Sequence, residues 1–200
     1  YQSSTFAFRS AEQGAALFQG QEKGYFFTRI GNPTTKALED CVGNHENGCE
    51  GLATASGMAA IATVFMAFLG GGSHLISTAA GYGPSRTILE NELSRFGMEA
   101  DFVDTSSIEI IEKYLRPNTK LLFIETSANP TMVLTDIQAC ARLARKKSLL
   151  LVVGGMIIAK EEKHLRRLHK VLTLMGGTMD PHQAWLVLRL SLIHISEPTR

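Results

Sequence analysis

Two short segments of the chain carry residue types that suit phosphate binding. Ser56-Gly57-Met58 stands between a predicted strand and a predicted helix, where backbone N–H groups and the helix dipole attract anions. Arg29 lies in a loop before Asn32-Pro33, and a guanidinium can hold a phosphate through two parallel hydrogen bonds. Each feature has an ordinary alternative, because small-residue turns also pack strands against helices and many arginines simply lie on the surface.

Two further side chains stand where predicted strands end. Tyr82 follows the predicted strand 73–78, and Asn129, held extended by Pro130, follows the predicted strand 120–124. Folds that alternate strands and helices bind ligands at the carboxyl ends of their parallel strands. A tyrosine packed over a turn and a plain Asn-Pro turn are the alternatives.

The elements that must position these residues alternate along the chain. Strands are predicted at residues 51–54, 73–78, 99–103, 120–124 and 149–153, and a further apolar run ends at residue 159. Helices are predicted at residues 10–19, 33–42, 58–69, 85–96, 106–116, 136–147, around 165–172 and 181–188. This alternation predicts an α/β fold with a mainly parallel sheet and helices on both faces.

Composition favours a globular protein that acts on a small molecule. With 44% hydrophobic and 20% charged residues and a formal net charge of +1, the chain has no long-range field to gather nucleic acid or an acidic membrane. The apolar stretches 58–69 and 149–159 are shorter than the roughly 18 residues that span a bilayer. Cys41, Cys49 and Cys140 are an odd number and are expected to be free thiols. With no leader pattern before the first residues, a cytoplasmic internal fragment is expected.

Two other functions stay open at this level. Cys41, His45 and Cys49 recur every four residues and could bind zinc, although a solvated helix end explains them as well. The basic helix between Lys160 and Lys170 could contact nucleic acid, although Glu161-Glu162 interrupts its charge.

Four motifs, taken together and in order, resemble the Cys/Met-metabolism (transsulfuration) family of enzymes that depend on pyridoxal 5'-phosphate (PLP). They are RIGNPT at 29–34, SGMAAI at 56–61, GYGPS at 81–85 and ETSANPT at 125–131. The resemblance covers about residues 1–189 in two blocks. It implies the large domain of the PLP-dependent transferase fold type I, a small amino-acid substrate and a homodimer or homotetramer.

The resemblance also implies a role for each candidate residue. Ser56, Gly57 and Met58 would hold the cofactor phosphate, and Arg29 would reach the phosphate of a neighbouring subunit. Tyr82 would stack on the cofactor ring and move a proton at the leaving group, and Asn129 would bond the phenolic oxygen of the ring. Phe27 stands where the family usually has a tyrosine, so one hydroxyl contact is missing.

Two residues that the resembling family requires are absent. An aspartate for the pyridine nitrogen and the lysine that forms a Schiff base with PLP should both follow Val153, where the chain reads Val153-Gly154-Gly155-Met156. None of the nine lysines stands in a fitting position. We therefore interpret the chain as lacking several tens of residues at this junction, including at least one central strand, and expect no covalent PLP adduct.

The same interpretation divides the chain into four segments. Residues 1–55 would form an N-terminal arm and interface segment, 56–153 the first part of the PLP-binding domain, and 154–189 a later part of it. Residues 190–200, LSLIHISEPTR, resemble translated sequencing adaptor and are treated as an artefact.

The resemblance implies γ-elimination or γ-replacement on methionine, cystathionine or an O-acylhomoserine. Residues 3–56 look most like methionine γ-lyases and O-acylhomoserine sulfhydrylases, although Pro84 stands where methionine γ-lyases typically have a cysteine. The alternative is a catalytically inactive fragment or pseudoenzyme.

Overall fold

The computed structural model describes residues 1–128, 131–154 and 157–196, with side chains as far as residue 190. Within these ranges the helices are α1 Ala11–Phe18, α2 Pro33–His45, α3 Gly57–Phe68, α4 Gly83–Thr87, α5 Ile108–Lys113, α6 Ile137–Lys147, α7 Glu162–Met175 and α8 Pro181–Ser196. The strands are β1 Glu50–Leu52, β2 His74–Thr78, β3 Glu99–Val103, β4 Thr119–Ile124, β5 Leu150–Val153 and β6 Ile157–Ala159. The described part divides into two compact units, one from Tyr1–Thr63 with Met156–Arg200 and the other from Val64–Gly155.

A four-stranded parallel sheet is the centre of the second unit. Its strand order is β3-β2-β4-β5, so the first strand of the unit lies inside the sheet and each later strand adds at an edge. Because parallel neighbours need a crossover connection, a helical segment separates the strands in sequence. The predicted mainly parallel sheet is confirmed.

Helices cover both faces of this sheet. Ile76 and Leu122 belong to a buried cluster with Ile111 of α5 and Leu143 of α6. On the opposite face, the Phe123 ring lies 5.3 Å from the Phe65 ring near the end of α3. Strand residues point alternately to the two faces, so a run of apolar residues is needed when both are covered.

The first unit contains a small sheet and a helical core. β1 and β6 pair antiparallel, with Glu50 opposite Ala159 and Leu52 opposite Ile157. Leu38 of α2, Ala53 and Ala184 of α8 form a buried cluster beside this sheet. The pairing places the two ends of the described chain in one unit.

Local capping explains where several helices begin. The side chains of Ser10, Asn32 and Asp136 each accept a hydrogen bond from a backbone N–H of the first turn. α5 begins after the predicted start at residue 106, because its N-cap is Ser107, whose hydroxyl accepts a hydrogen bond from the Ile110 N–H.

Two predicted helices differ from the structure by more than a change of one turn at an end. The helix predicted at 85–96 begins at Gly83, because Pro84 fits a first turn where its missing N–H is not needed. It then continues as a π turn, Ile88–Glu92, and a 3-10 turn, Leu93–Phe96. The helix predicted at 181–188 runs to Ser196, because no glycine or proline interrupts residues 182–196.

Candidate functional site

The predicted phosphate-binding turn lies at the start of α3 and is exposed at Ser56 and Gly57. The Ser56 hydroxyl accepts a hydrogen bond from the Ala59 N–H at 3.1 Å, which makes Ser56 the N-cap of the helix. The Thr54 hydroxyl donates to the Ser56 carbonyl at 3.0 Å. A hydroxyl that accepts one hydrogen bond can still donate its own proton. Ser56 can therefore cap the helix and donate to an anion at the same time.

Arg29 is turned toward its own chain. Its Nη1 donates to the carbonyl of Thr173, in the last turn of α7, at 2.7 Å. The guanidinium carbon also lies 5.2 Å from the centre of the Phe27 ring. Arginine interacts favourably with the carbonyls at a helix C-terminus, and this contact uses one of its five N–H donors.

A diglycine connects the surroundings of Arg29 and Ser56. Gly176 ends α7 in a left-handed conformation, with φ at 74°, and a Cβ there would lie 4.0 Å from the Arg29 Cδ. The Gly177 carbonyl accepts from the Ala55 N–H at 2.8 Å, and a Cβ on Gly177 would lie 3.4 Å from the Cβ of Ala59. The sequence offers a signal for this contact, because two adjacent glycines allow close backbone approach.

Tyr82 follows β2 in the second unit, with 54% of its surface exposed. Its backbone N–H donates to Glu125 Oε2 at 2.7 Å, and the Ser85 hydroxyl donates to Glu125 Oε1 at 3.4 Å. Glu125 follows β4, so one carboxylate joins two loops at the carboxyl ends of parallel strands. The ring of Tyr82 is left accessible to a ligand.

Glu125 also lies close to the end of β5. A Cβ on Gly154 would lie 3.2 Å from the Glu125 Cγ. Glu125 stood within a recognised motif but was given no role by sequence reasoning, because nothing local indicates that it reaches a loop 43 residues earlier. A glutamate directly after a buried strand was the available signal.

Asn129 falls outside the described residues, so its predicted contact with the cofactor ring stays a prediction. Ser56 and Arg29 belong to the first unit and Tyr82 to the second, and each is described within its own unit.

Three lysines of the described residues make contacts away from the strand-end loops. Lys36 pairs with Glu50 at 3.2 Å, Lys160 donates to the Asn47 carbonyl at 3.1 Å, and Lys163 pairs with Glu161 at 2.6 Å. The sequence has no lysine between Lys36 and Lys113, a stretch that includes the loop of Tyr82. The loops after β2 and β4 therefore offer no amine.

A cavity of about 550 Å³ lies in the first unit, with Arg29, Asn32, Glu39 and His169 among its lining residues. The Ala53 N–H donates to Glu39 Oε1 at 2.9 Å. Burial raises the pKa of Glu39 to about 7, and the bond from Ala53 opposes this rise. Glu39 therefore titrates close to neutral pH.

The zinc and nucleic-acid alternatives gain no support from the geometry. Among the described residues, no group of three or more His, Cys, Asp or Glu side chains could hold a metal ion. α2 ends at His45, and the thiol of Cys49 donates to the Lys160 carbonyl at 2.9 Å. On α7, Arg166 pairs with Glu162 at 2.6 Å, which reduces the charge available to a polyanion.

No described helix combines the length and the apolar character needed to cross a bilayer.

A comparison with protein families matches residues 1–154 to the family described as Cys/Met metabolism PLP-dependent enzyme. The chain belongs to this family. The resemblance read from the four motifs is confirmed, and PLP is the cofactor of the family.

Similar proteins carry names from sulfur amino-acid metabolism. The L-methionine gamma-lyase of Fusobacterium nucleatum subsp. nucleatum is 40% identical over 153 residues, covering 76% of this chain and 39% of that protein. The L-methionine gamma-lyase of Pseudomonas deceptionensis is 40% identical over 226 positions, covering 94% and 57%. The cystathionine gamma-lyase of Bacillus subtilis is 36% identical over 205 positions, covering 85% and 54%. The chain thus spans 39% to 57% of these relatives.

A crystal structure of cystathionine gamma-lyase from Lactobacillus plantarum, complexed with L-serine, shares the fold. It superposes with a TM-score of 0.86 at 28% identity and covers 94% of this chain and 56% of that one. The predicted fold class is confirmed, as an incomplete fold type I large domain.

The residues present fit the cofactor only in part. The exposed start of α3 suits its phosphate, and the accessible Tyr82 suits its ring. The covalent anchor does not fit, because the segment after Val153, where the family's lysine is expected, reads Gly154-Gly155-Met156 and contains no lysine.

Proposed function

We propose that the parent of this chain is a PLP-dependent enzyme of sulfur amino-acid metabolism. It would carry out γ-elimination or γ-replacement on methionine, cystathionine or an O-acylhomoserine. The family match over residues 1–154 carries this proposal, and the names of the relatives support the substrate class.

In the proposed enzyme, Ser56, Gly57 and Met58 bind the phosphate through the start of α3, and Asn129 contributes to the ring site. Arg29 reaches the cofactor phosphate of a neighbouring subunit once it leaves the carbonyl of Thr173. Tyr82 holds or moves a proton at its phenolic oxygen, which its exposed position supports.

We also propose that this chain, as written, is catalytically inactive because an internal stretch is absent. The match to the Pseudomonas deceptionensis relative runs over 226 positions but covers 94% of 200 residues, so about 38 positions of the relative face no residue here. The match to the Bacillus subtilis relative leaves about 35 by the same reasoning, from 205 positions and 85%. The family match itself stops at residue 154.

A chimera tests the activity of the parent. Residues 1–153 of this chain are joined to the part of the Pseudomonas deceptionensis relative that follows the matching position. With PLP and methionine, the chimera is expected to release a thiol and an α-keto acid, and its Tyr82→Phe variant is expected to lose most of this activity. A soluble chimera that binds PLP but releases neither product would contradict the proposal.

A labelling experiment tests the inactivity of the chain as written. The chain is incubated with PLP, reduced with borohydride and digested for peptide mapping. We expect no specifically labelled lysine, whereas the chimera should be labelled at one lysine after residue 153. Stoichiometric labelling of any of the nine lysines of this chain would overturn the proposal.

Assembly as a homodimer or homotetramer in the cytoplasm is part of the same proposal. Aromatic side chains of the N-terminal arm support a subunit interface, since Phe8 and Phe18 are 41% and 67% exposed. The free cysteines Cys41, Cys49 and Cys140 support a reducing compartment.

A further inference from the structure

The two edges of the parallel sheet differ in chemistry. The edge strand β3 carries Glu99 and Asp101, and Arg116 donates to both carboxylates at 2.7 and 2.6 Å. Charged side chains on an edge discourage another strand from pairing with it. The charges on β3 are therefore those expected of a strand that ends the sheet.

The opposite edge strand, β5, has the composition of an interior strand. Its sequence is Leu150-Leu151-Val152-Val153, four apolar residues with no charge and no proline. Such a run is typical of a parallel strand with neighbours on both sides. Within the described ranges, β5 pairs with β4 alone, and Val153 is 37% exposed.

The backbone of β5 presents hydrogen-bonding groups to this open edge. The Gly154 N–H donates to the Ile124 carbonyl at 3.1 Å, so the peptide groups of Gly154 and Val152 face β4. Because backbone groups of a parallel strand point alternately to its two neighbours, those of Leu151 and Val153 face away from β4. Backbone groups of this kind bind a further strand.

The positions missing relative to the Pseudomonas deceptionensis protein are sufficient in number to provide that strand. About 38 positions of that relative face no residue here. A crossover to a parallel strand takes about a dozen residues or more, and a strand about five more. This step rests on the internal deletion in the proposed function.

We propose that the open edge of β5 is a binding site for an extended apolar segment supplied by another polypeptide. The segment adds as a fifth parallel strand and exchanges backbone hydrogen bonds with Leu151 and Val153. Its side chains are apolar, because both faces of the sheet are covered by helices.

Amide hydrogen exchange tests the proposal on the chain as it exists. The probe is a synthetic peptide with the stretch of the Pseudomonas deceptionensis relative that faces no residue here. At saturating peptide, exchange of the Leu151 and Val153 amides is expected to slow by roughly tenfold or more. The Val152 amide, which faces β4, is the internal control and is expected to change little.

Two variants locate the contact. Val153→Pro removes the N–H that faces the open edge and is expected to weaken peptide binding at least tenfold, whereas Val153→Ala keeps this N–H and is expected to bind within about threefold of the wild type. Should the proline variant fail to fold, the exchange rates of the unchanged chain still decide the question.

Two results would overturn the proposal. One is unchanged exchange at Leu151 and Val153 with the peptide in excess. The other is protection that rises with the concentration of the chain and not with peptide, which would place a second copy at this edge. Both are independent of PLP and of thiol release, so a failure here is distinguishable from a failure of the proposed activity.

Discussion

Glu125 organises the strand-end loops of the second unit. Its two carboxylate oxygens accept hydrogen bonds from the Tyr82 N–H and the Ser85 hydroxyl, and its Cγ approaches the backbone at Gly154. A single side chain therefore fixes the backbone from which Tyr82 projects. Tyr82 is a candidate catalytic residue, and Glu125 is a candidate positioning residue for it.

Ser56→Ala is expected to affect both stability and PLP binding. Loss of the N-cap of α3 should lower the free energy of unfolding by about 1 kcal/mol. Loss of a hydroxyl donor to the phosphate should weaken reversible PLP binding by roughly tenfold, measured by equilibrium dialysis.

The matched control is Ser107→Ala, which removes an N-cap of the same type from α5. It should lower stability by a similar amount and leave PLP affinity unchanged. Equal PLP affinity in the two variants would contradict the prediction that Ser56 binds the phosphate.

Glu39 is expected to make stability depend on pH. Its pKa is about 7 in the folded chain, against roughly 4.3 for an unperturbed glutamate, so the folded chain binds the proton more tightly. Its contribution to the free energy of unfolding is therefore complete below about pH 4.5 and is lost as pH rises to about 7. Because Glu39 is only partly buried, we expect a loss on the order of 2 kcal/mol.

Glu39→Gln keeps an acceptor for the Ala53 N–H and removes this titration. The difference in unfolding free energy between wild type and variant, measured by urea denaturation from pH 4.5 to 8, should change across that window. Titrations that wild type and variant share cancel in this difference. One example is buried His74, whose pKa is lowered mainly by desolvation. Glu112→Gln, on the exposed face of α5, should reproduce the wild-type profile.

At the level of elements, a polar cluster joins the starts of β2 and β4 to the middle of β3. His74 begins β2, and its Nδ1 lies 2.8 Å from the Thr119 hydroxyl at the start of β4. Its Nε2 lies 3.2 Å from Asp101 of β3, and Arg116 pairs with the same carboxylate. His74 and Thr119 lie at the amino ends of their strands, away from the loop that carries Tyr82.

Arg116→Met should destabilise the chain modestly through β3. The change removes the ion pairs with Glu99 and Asp101, and because Arg116 is partly exposed we expect a loss of about 1 kcal/mol. Urea denaturation at low salt measures it, and the loss should shrink in about 1 M salt.

Arg95→Met is the matched control, because it breaks a single exposed pair with Glu92. We expect a change within about 0.5 kcal/mol. A loss as large as that of Arg116→Met would mean that the contacts of Arg116 with β3 have no special weight.

Sequence reasoning predicted the elements well where the deciding contact is local. Ser10, Asn32 and Asp136 cap their helices because a short side chain reaches a backbone N–H two or three residues away. It could not predict the π turn after α4, or that the run ending at Ala159 pairs antiparallel with β1. Strand partners are chosen by tertiary contacts, which local patterns do not encode.

The site followed the same rule. Sequence reasoning places Ser56 before a helix and Tyr82 after a strand, where the structure has them, because such boundaries are visible in the hydrophobic pattern. Glu125 and Gly177 were missed as site residues, because their importance depends on partners far away in sequence. The contact of Arg29 with the Thr173 carbonyl was missed for the same reason.

For the whole molecule, insertion of the missing stretch should increase the surface buried on folding. The chain with the stretch of the Pseudomonas deceptionensis relative inserted after Val153 is compared with the chain as written. The dependence of unfolding free energy on urea concentration scales with buried area, so its slope should rise by roughly a tenth or more.

A scrambled insert of the same length is the control, and it should leave the slope unchanged or make the transition less cooperative. If the native and scrambled inserts give the same urea dependence of the unfolding free energy, the inserted stretch adds no strand beside β5.

The division of the chain into units has a consequence for biosynthesis. Val64–Gly155 is continuous in sequence, whereas the core around Leu38 needs Ala184 of α8. A nascent chain leaving the ribosome can therefore complete its parallel sheet before α8, the packing partner of α2, has been synthesised. A chaperone acting during translation would meet an exposed α2 surface long before α8 has been synthesised.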